Sequence, residues 1–399
     1  MSAEEHLGDD WPTMPDGSDF DGTGLFDLVR SGNSPFVWDG FHIQSSNRPD
    51  VVARLANGDV NMPHFSGFSI ERQVEEVTFE AAAYELLRSE QNILASKLLY
   101  HRAPVQHSGP KLATPQDILG RRLFVLERTE GDNNVWRGLS PEHKASLITQ
   151  AAQIRTSLFN YTPPSTFTST WFLPRVFQQR PDSLSVPVAP TREFCIALFE
   201  SKIEATIKNI GDVIGFEDDE EFVGPRAFAA KQSLLRLIPH IFPTDGNQAA
   251  LYRLVLDHGD FGIHNMSITT EEKGHFVITS LYDWETGCIV PAILSDPMMI
   301  VTVDIRTDGN ANAVITRVKE NATSEDKAAH ALWAKQYLDA LFRHAPGYRS
   351  AIQAGKDARH IWFAMRDLRD EDPEEFYGGL GDWAEIRLKE LGLGDDRGT

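Results

Sequence analysis

One pair of segments constrains this chain more than any other. Residues 256–268 read LDHGDFGIHNMSI, and residues 278–287 read ITSLYDWETG. The first places an acid, Asp260, five residues before an amide, Asn265, and a second acid, Asp283, follows eighteen residues after that amide. Tyr252–Leu256 (YRLVL) is an apolar run with a β-branched residue, so a strand is expected to deliver the loop after it. Asn265–Ile268 and His275–Leu281 read as two short strands, separated by a polar TTEEKG turn with its glycine at the end. Such a hairpin folds Asp283 back beside Asn265. It converges an amide oxygen and a carboxylate on one point, the kind of donor set that Mg²⁺ prefers.

Composition narrows the classes open to such a chain. Its 399 residues, 41% of them hydrophobic, are enough for two domains or one large two-lobed one. No run of about 18 apolar residues occurs, so no transmembrane helix is expected. The amino-terminal MSAEEHLGDDWPTMPDGSDFDGTG is acidic and lacks the basic and apolar regions of a secretory signal, which makes the cytoplasm the expected compartment. Cys195 and Cys288 are the only cysteines, far apart and without metal-like spacing, so no disulfide framework is expected. The 58 acids against 38 basic residues give a formal charge of −20. That balance repels nucleic acid and anionic membrane and favours cationic small molecules, although solubility is the preferred explanation for it.

The chain divides into three parts. Residues 1–30 are rich in Gly, Asp and Pro and read as a flexible acidic arm. Residues 31–130 are strand-like with one helix. The runs Phe36–Trp38, Val51–Leu55 and Leu123–Glu127 read as strands, and Glu71–Arg88 has helical periodicity through Val74, Val77, Ala81, Tyr84 and Leu87. From 131 to 399 helices dominate, at 141–159 with Ser140 as N-cap, and at 192–211, 226–239, 325–344 and 350–369. The acidic run 218–221 reads as a solvated loop. The expected class is α+β, a small β-rich N-lobe followed by a larger helical C-lobe.

HGDFGIHN together with YDWE resembles the aminoglycoside phosphotransferase/choline kinase family in its fungal-type branch. There the loop reads His-Gly-Asp with Asn five residues after the Asp, and the later acid sits in an Asp-Trp-Glu setting. The resemblance implies a bilobal protein-kinase-like fold with nucleotide in the cleft between lobes. It also implies ATP- and Mg²⁺-dependent phosphorylation of a hydroxyl on a small, amine-bearing, cationic acceptor. Phosphoryl transfer needs a carboxylate to orient and deprotonate a hydroxyl, and an amide and a carboxylate to hold Mg²⁺ on the phosphates. By resemblance Asp260 is the base, Asn265 and Asp283 are the metal ligands, and His258 shapes the loop. A chance HGD turn in a surface loop is the competing reading, and the amide, hairpin and second acid together weigh against it.

The same resemblance implies that Arg54, in VVARLA, fills the role of the phosphate-facing cation on a strand. Its partner is expected on the 71–88 helix. Glu80 has Val77, Ala83, Tyr84 and Leu87 at helical neighbour spacings, whereas Glu85 is expected to face solvent. A carboxylate on a buried stripe needs a cation, so Arg54–Glu80 is the expected pair, against a surface Arg and a locally paired Glu80. The chain should cross between lobes after Leu126. Leu126 and Arg128 are placed at the nucleotide, with Glu127, Arg128 and Thr129 presenting backbone groups to adenine. No G-x-G-x-x-G precedes Arg54; between residue 31 and Arg54 there are only Gly32, Gly40 and the polar run 44–47, which puts tight phosphate cradling in doubt.

For the acceptor, His360, Trp362, Asp367, Asp370, Glu371 and Asp372 form one aromatic-and-acid group, and Trp333 and Tyr337 another. Core tryptophans and a solvated acidic turn explain the same residues and are preferred. Asp296, in Ser-Asp-Pro, is expected to hydrogen-bond the catalytic-loop backbone, and Glu285 to touch a second metal or wall a pocket. The competing function is a kinase-fold pseudoenzyme acting as a nucleotide-binding or regulatory module. A protein kinase is disfavoured, since no Ala-Pro-Glu element follows Asp283 and the text after it is expected to run directly into helices.

Overall fold

The computed structural model describes residues 38–43, 49–62, 65, 67–107, 118–132, 135–176, 184–207, 223–244, 247–272, 274–367 and 372–394. The arm at 1–30, Gly32, Phe36 and Val37, the polar run 44–47, the acidic run 218–221, Asp370 and Glu371 lie outside the described residues. The contacts group residues 1–154 with 260–287 in one compact unit, and 155–259 with 288–399 in a second. This division differs from the boundary near 130 that the sequence suggests. The hairpin carrying Asp283 belongs to the first unit because it is hydrogen-bonded there.

In the first unit, β1 (Trp38–Ile43), β2 (Val51–Ala56), β3 (Leu98–Arg102) and β4 (Leu123–Glu127) form an antiparallel sheet in the order β1-β2-β4-β3. Helix α1 (Ile70–Leu87) lies between β2 and β3 in the chain, capped by the Ser69 hydroxyl, which accepts from the Arg72 N–H at 3.3 Å. Alternation decides the faces. Val51, Ala53 and Leu55 join Ile43, Leu123 and Val125 in a core on one side of the sheet. Phe124 packs on the other side with Val77 and Ala81 of α1. Arg54 pairs in register with Phe124, so its side chain leaves the sheet on the helix side. Strand β3 is not expected from sequence; LLYHR is only partly buried and carries no clean alternation.

Strands β6 (Met266–Thr270) and β7 (Phe276–Leu281) form the expected hairpin, with a one-residue irregularity between Ser267 and Ile268. Its attachment to the rest of the unit is through backbone. The Leu281 N–H donates to the Leu94 carbonyl at 2.7 Å, and its carbonyl accepts from Ser96 N–H at 3.0 Å. Asp132 and Ile268 exchange two bonds at 2.9 and 3.1 Å. Gln150, on α2 (Pro141–Asn160), bonds the β7 backbone with both ends of its amide, to the Phe276 carbonyl at 2.9 Å and the Ile278 N–H at 3.0 Å.

The second unit contains α3 (Ser165–Val176), α4 (Arg192–Thr206), α5 (Val223–Ile241), α6 (Gln248–Tyr252) and β5 (Leu254–Asp257), the last paired antiparallel with β8 (Cys288–Pro291). The strand before the loop starts two residues later than expected, because Asn247 caps a short helix that takes up Tyr252. The text after Asp283 does not run directly into helices. It forms β8, then a small sheet of β9 (Met299–Ile300), β10 (Asp304–Thr307) and β11 (Ala313–Thr316), before α7 (Ser324–His344). Strands this short leave no period to read. The stretch expected as one helix at 350–369 is two, α8 (Pro346–Ala354) and α9 (Lys356–Asp367). They break at Gly355, where a Cβ would lie 2.3 Å from the Ile293 carbonyl oxygen. Helix α10 (Pro373–Glu390), capped by Asp372, completes the described chain. Both cysteines are free. Among the described residues, no helix is long and apolar enough to cross a membrane.

Arg155 is the buried polar centre of the second unit. It donates to the Asp257 carboxylate, to Tyr348 Oη at 2.7 Å, to Ser295 Oγ at 3.2 Å and to the Asp296 carbonyl. Asp296 departs from expectation. Its carboxylate accepts from Met298 N–H two residues on, closing an Asx turn, while its N–H donates to Asp257.

Gly131 has φ +120°, and a Cβ there would meet the Ile268 carbonyl carbon and oxygen at 2.5 Å. Gly131→Ala is therefore expected to destabilise the protein by about 2 kcal/mol or more in urea unfolding, since both strain and a displaced hairpin contribute. Gly274, at φ +77° with open space around its Cβ position, should cost less when changed to Ala.

Candidate active site

The site begins with one arginine. Arg54 Nη1 donates to Glu80 Oε1 at 2.8 Å, and Nη2 donates to Asp283 Oδ1 at 2.9 Å. A guanidinium is suited to this, because its planar fork aims two donors at two acceptors at once. Glu80 is 1% exposed, as its place on the apolar stripe requires, and Glu85 is exposed. Burial opposes the charge on Arg54, but Glu80 and Asp283 outweigh it and raise the guanidinium pKa above its ordinary value. Burial pushes Glu80 up to about 7 against the pull of Arg54, with Asp283 and Glu285 adding to the rise. Carboxylates outnumber cations here, and the surplus negative charge suits a metal ion.

One turn beyond Glu80 on the same helix face stands Tyr84. Its hydroxyl accepts from the Asp283 N–H at 3.0 Å. Burial holds the Tyr84 phenol well above its usual range, so it is neutral. Helix α1 thus fixes Asp283 twice, through Arg54 and directly through Tyr84. Asp283 itself has φ +68°, left-handed backbone that an aspartate adopts at some cost. Nothing in the sequence pattern singles out Tyr84 beyond its place on the stripe.

The loop acid is tied to the same cluster. The Asn265 side-chain amide donates to the Asp260 carbonyl at 2.9 Å and to Asp260 Oδ2 at 3.1 Å. The Tyr282 N–H donates to the Asn265 carbonyl at 3.0 Å, which sets Asp283 beside Asn265 as the hairpin predicts. A single 3₁₀ turn at Ile263–Asn265, anchored by buried Phe261 and Ile263, curls the loop so that Asp260 and Asn265 meet. His264 Nε2 lies 3.0 Å from Asp260 Oδ2, and the Tyr282 hydroxyl donates to the His264 carbonyl at 3.0 Å. Sequence reasoning misses His264; its spacing of four from the acid is the signal that could have found it.

The remaining expected residues fall in several places. His258 is wholly buried and directly follows β5. Leu126 is buried in β4, between β2 and β3. The Glu127 N–H donates to Lys97 and the Arg128 N–H donates to Asp50, at 2.9 and 2.8 Å. Both N–H groups are therefore taken up within the sheet, so any contact of these two residues with a base would fall to their carbonyls. The sheet extends one residue further than the expected crossing point. The Arg128 side chain lies 2.9 Å from His42 Nε2 and 3.6 Å from the Asp50 carboxylate. Glu285 accepts from Arg122 Nη1 at 3.1 Å, and the same nitrogen donates to Glu76 at 3.0 Å. In the second unit Tyr337 and Trp362 are core residues, Trp333 lies near His330, and Asp372 is a helix cap. His360, with its ring centroid 4.3 Å from that of Trp383 and the rings tilted by 35°, lines an open cavity.

Among the described residues, no group of three or more His, Cys, Asp or Glu side chains can hold a metal ion. An ion at Asn265 and Asp283 would take two protein ligands and draw the rest from phosphate and water, a usual arrangement for Mg²⁺. The donor chemistry fits. The Asn265 nitrogen is committed to Asp260, which leaves its amide oxygen for the ion, and one Asp283 oxygen lies outside the bond to Arg54.

No family model matches this sequence, and no curated protein matches it. Solved structures do match over most of the chain. An ADP-bound aminoglycoside phosphotransferase is 11% identical with a TM-score of 0.43, covering 90% of this chain and 94% of its own. A microcompartment-associated aminopropanol kinase is 13% identical with a TM-score of 0.36, covering 93% and 94%. A macrolide 2′-phosphotransferase from Brachybacterium faecium is 12% identical with a TM-score of 0.34, covering 92% and 94%. Likeness this distant assigns no function to the chain; its own residues must carry one.

Because Arg54 and Glu80 are both buried, removing either strands the other's charge. Arg54→Met and Glu80→Gln are each expected to cost about 3–5 kcal/mol in chemical unfolding, and the double variant less than their sum. Strictly additive losses would show that the pair is not coupled.

Proposed function

We propose that this chain is a small-molecule kinase that transfers a phosphoryl group from ATP, with Mg²⁺, to the hydroxyl of a small amine-bearing acceptor. One observation carries the reading. Asp260 bonds Asn265, and Asp283 bonds Arg54 and through it Glu80, while the N–H of Tyr282, next to Asp283, bonds the Asn265 carbonyl and joins the two groups, although they come from a loop, a hairpin, a strand and a helix. Phosphoryl transfer depends almost entirely on positioning and electrostatics, and this cluster supplies a base, two oxygen donors and a fixed cation.

In this reading Asp260 orients the acceptor hydroxyl and takes its proton on the carboxylate. The Asn265 amide holds that carboxylate in place, and His264, on the same oxygen, gives it a second partner. Mg²⁺ on Asn265 and Asp283 would neutralise charge on the phosphates when bound. Arg54 keeps one arm on Glu80 and the other on Asp283, and so places a fixed positive charge beside the carboxylate proposed to hold the metal. Tyr84 and Arg54 hold Asp283 from the protein side, so the site is organised before ligands arrive. A pseudoenzyme is the weaker reading, since the expected base, amide, acid and strand cation are all present. The net charge of −20 supports a cationic acceptor.

Asp260→Asn is expected to lower kcat by about 10²–10⁴-fold while leaving ATP affinity nearly intact, measured on an acceptor found by screening amines, amino sugars and amino alcohols for ATP consumption. A variant keeping more than about a tenth of the wild-type kcat would remove Asp260 from the role of base.

Asp283→Ala removes a full charge from the metal site and should weaken Mg·ATP binding in calorimetry more than Asn265→Ala does. Equal affinities for Mg·ATP in wild type and Asp283→Ala would show that the metal is held elsewhere.

A further inference from the structure

The second unit contains an open cavity of about 290 Å³ bordered by β10, the turn after it, α9 and Trp383 of α10. It stands apart from the charge character of the chain. In a protein of net charge −20, three cations line this one cavity, Arg306, Lys356 and Arg359. Three acids line it as well, but each accepts a bond from the protein. Asp357 pairs with Arg387 at 2.6 Å. Asp308 accepts from the N–H groups of Asn310 and Asn312, both at 2.8 Å, and from the Asn312 amide at 3.0 Å. Asp296 closes its own turn onto Met298.

The cations differ. Arg359 is buried and spent on the Ser295 carbonyl and the Thr307 hydroxyl, at 3.2 and 3.3 Å. Among the described residues neither Arg306 nor Lys356 is in a hydrogen bond or close ion pair, although the Lys356 charge acts on Asp308 across the cavity and helps hold that carboxyl below its ordinary value. Arg306 Nε is buried without a partner, a donor stripped of water and given nothing in return. The Lys356 stem is laid against Gly309, where a Cβ would stand 2.6 Å from Lys356 Cγ, so the glycine makes room for that lysine at the cavity wall. Beside these two cations lie aromatic faces. Trp383 lies against His360 with the rings tilted by 35°, and the Phe363 ring sits 5.6 Å from the Arg359 guanidinium.

We propose that this cavity binds a small organic oxyanion, a carboxylate or phosphate monoester on a flat apolar body. Arg306 and Lys356 receive the oxyanion, and Trp383 and Phe363 receive the body. The guanidinium fork matches two oxygens of either anion, and the lysine adds a point charge. All of these residues lie in the second unit, whereas the residues assigned to phosphoryl transfer lie in the first, so the proposal is independent of the kinase reading.

Calorimetric titration of the full chain without nucleotide tests it, with benzoate, phenyl phosphate and benzylamine as probes. Saturable binding of one or both anions is expected, with no binding of benzylamine. Preference between the two anions then tells carboxylate from phosphate. Arg306→Met should weaken the anion by about tenfold or more, Arg306→Lys should lose less, and Trp383→Ala should weaken both aromatic anions. Circular dichroism shows whether each variant is folded, and Arg306→Lys carries the test if Arg306→Met is not. Absence of binding at millimolar anion, affinity unchanged in the folded Arg306 variants, or tighter binding of benzylamine would each overturn the proposal.

Discussion

The candidate active site depends on a guanidinium shared between two carboxylates. Arg54 leaves the sheet beside Phe124, reaches Glu80 on α1 with one nitrogen and Asp283 after the hairpin with the other. Buried ion pairs of this kind contribute little net stability, because desolvation offsets most of the attraction. What they do is fix geometry. With Arg54 in place, the sheet, the helix and the hairpin have one relative arrangement inside the first unit, and Asp283 has one position.

Helix α1 has a second part in this. Glu80 and Tyr84, one turn apart, meet Asp283 from the same face, one through Arg54 and one through the backbone. That double hold accounts for an aspartate kept in left-handed backbone, a strain that would relax if the surroundings did not impose it. Burial raises Glu80 toward neutrality, and each negative neighbour raises it further. The cluster is electrostatically short of positive charge, and Mg²⁺ with its phosphates would change that balance at the place where transfer is proposed.

The second unit repeats the device with different parts. Arg155, wholly buried, gathers Asp257 at the end of β5, Ser295 and Tyr348, and so fixes the strand that leads into the acid loop. Its cavity near β10 uses charge in the opposite sense. Its acids are bound to the protein, and among the described residues the buried Arg306 Nε has no hydrogen-bonding partner.

The sequence by itself determined the local elements and the identity of the proposed reacting groups. The spacing from Asp260 to Asn265 and Asp283, the strand around Arg54 and the apolar stripe carrying Glu80 were legible because each is set by period and chemistry within a short window. The Arg54–Glu80 pair followed from the family resemblance, which pointed to Arg54, together with the cost of burying an unpaired carboxylate, which chose Glu80. Only the tertiary structure decided the rest. Tyr84 looked like another core position until the hairpin brought the Asp283 N–H to its hydroxyl. The N–H groups of Glu127 and Arg128 looked available until β4 paired with its neighbours and consumed them. Strands β8 to β11 are too short to show a period, and at the break at Gly355 a carbonyl from a distant turn occupies the space a Cβ would need. In each case the deciding partner is far away in sequence, and no local pattern records it.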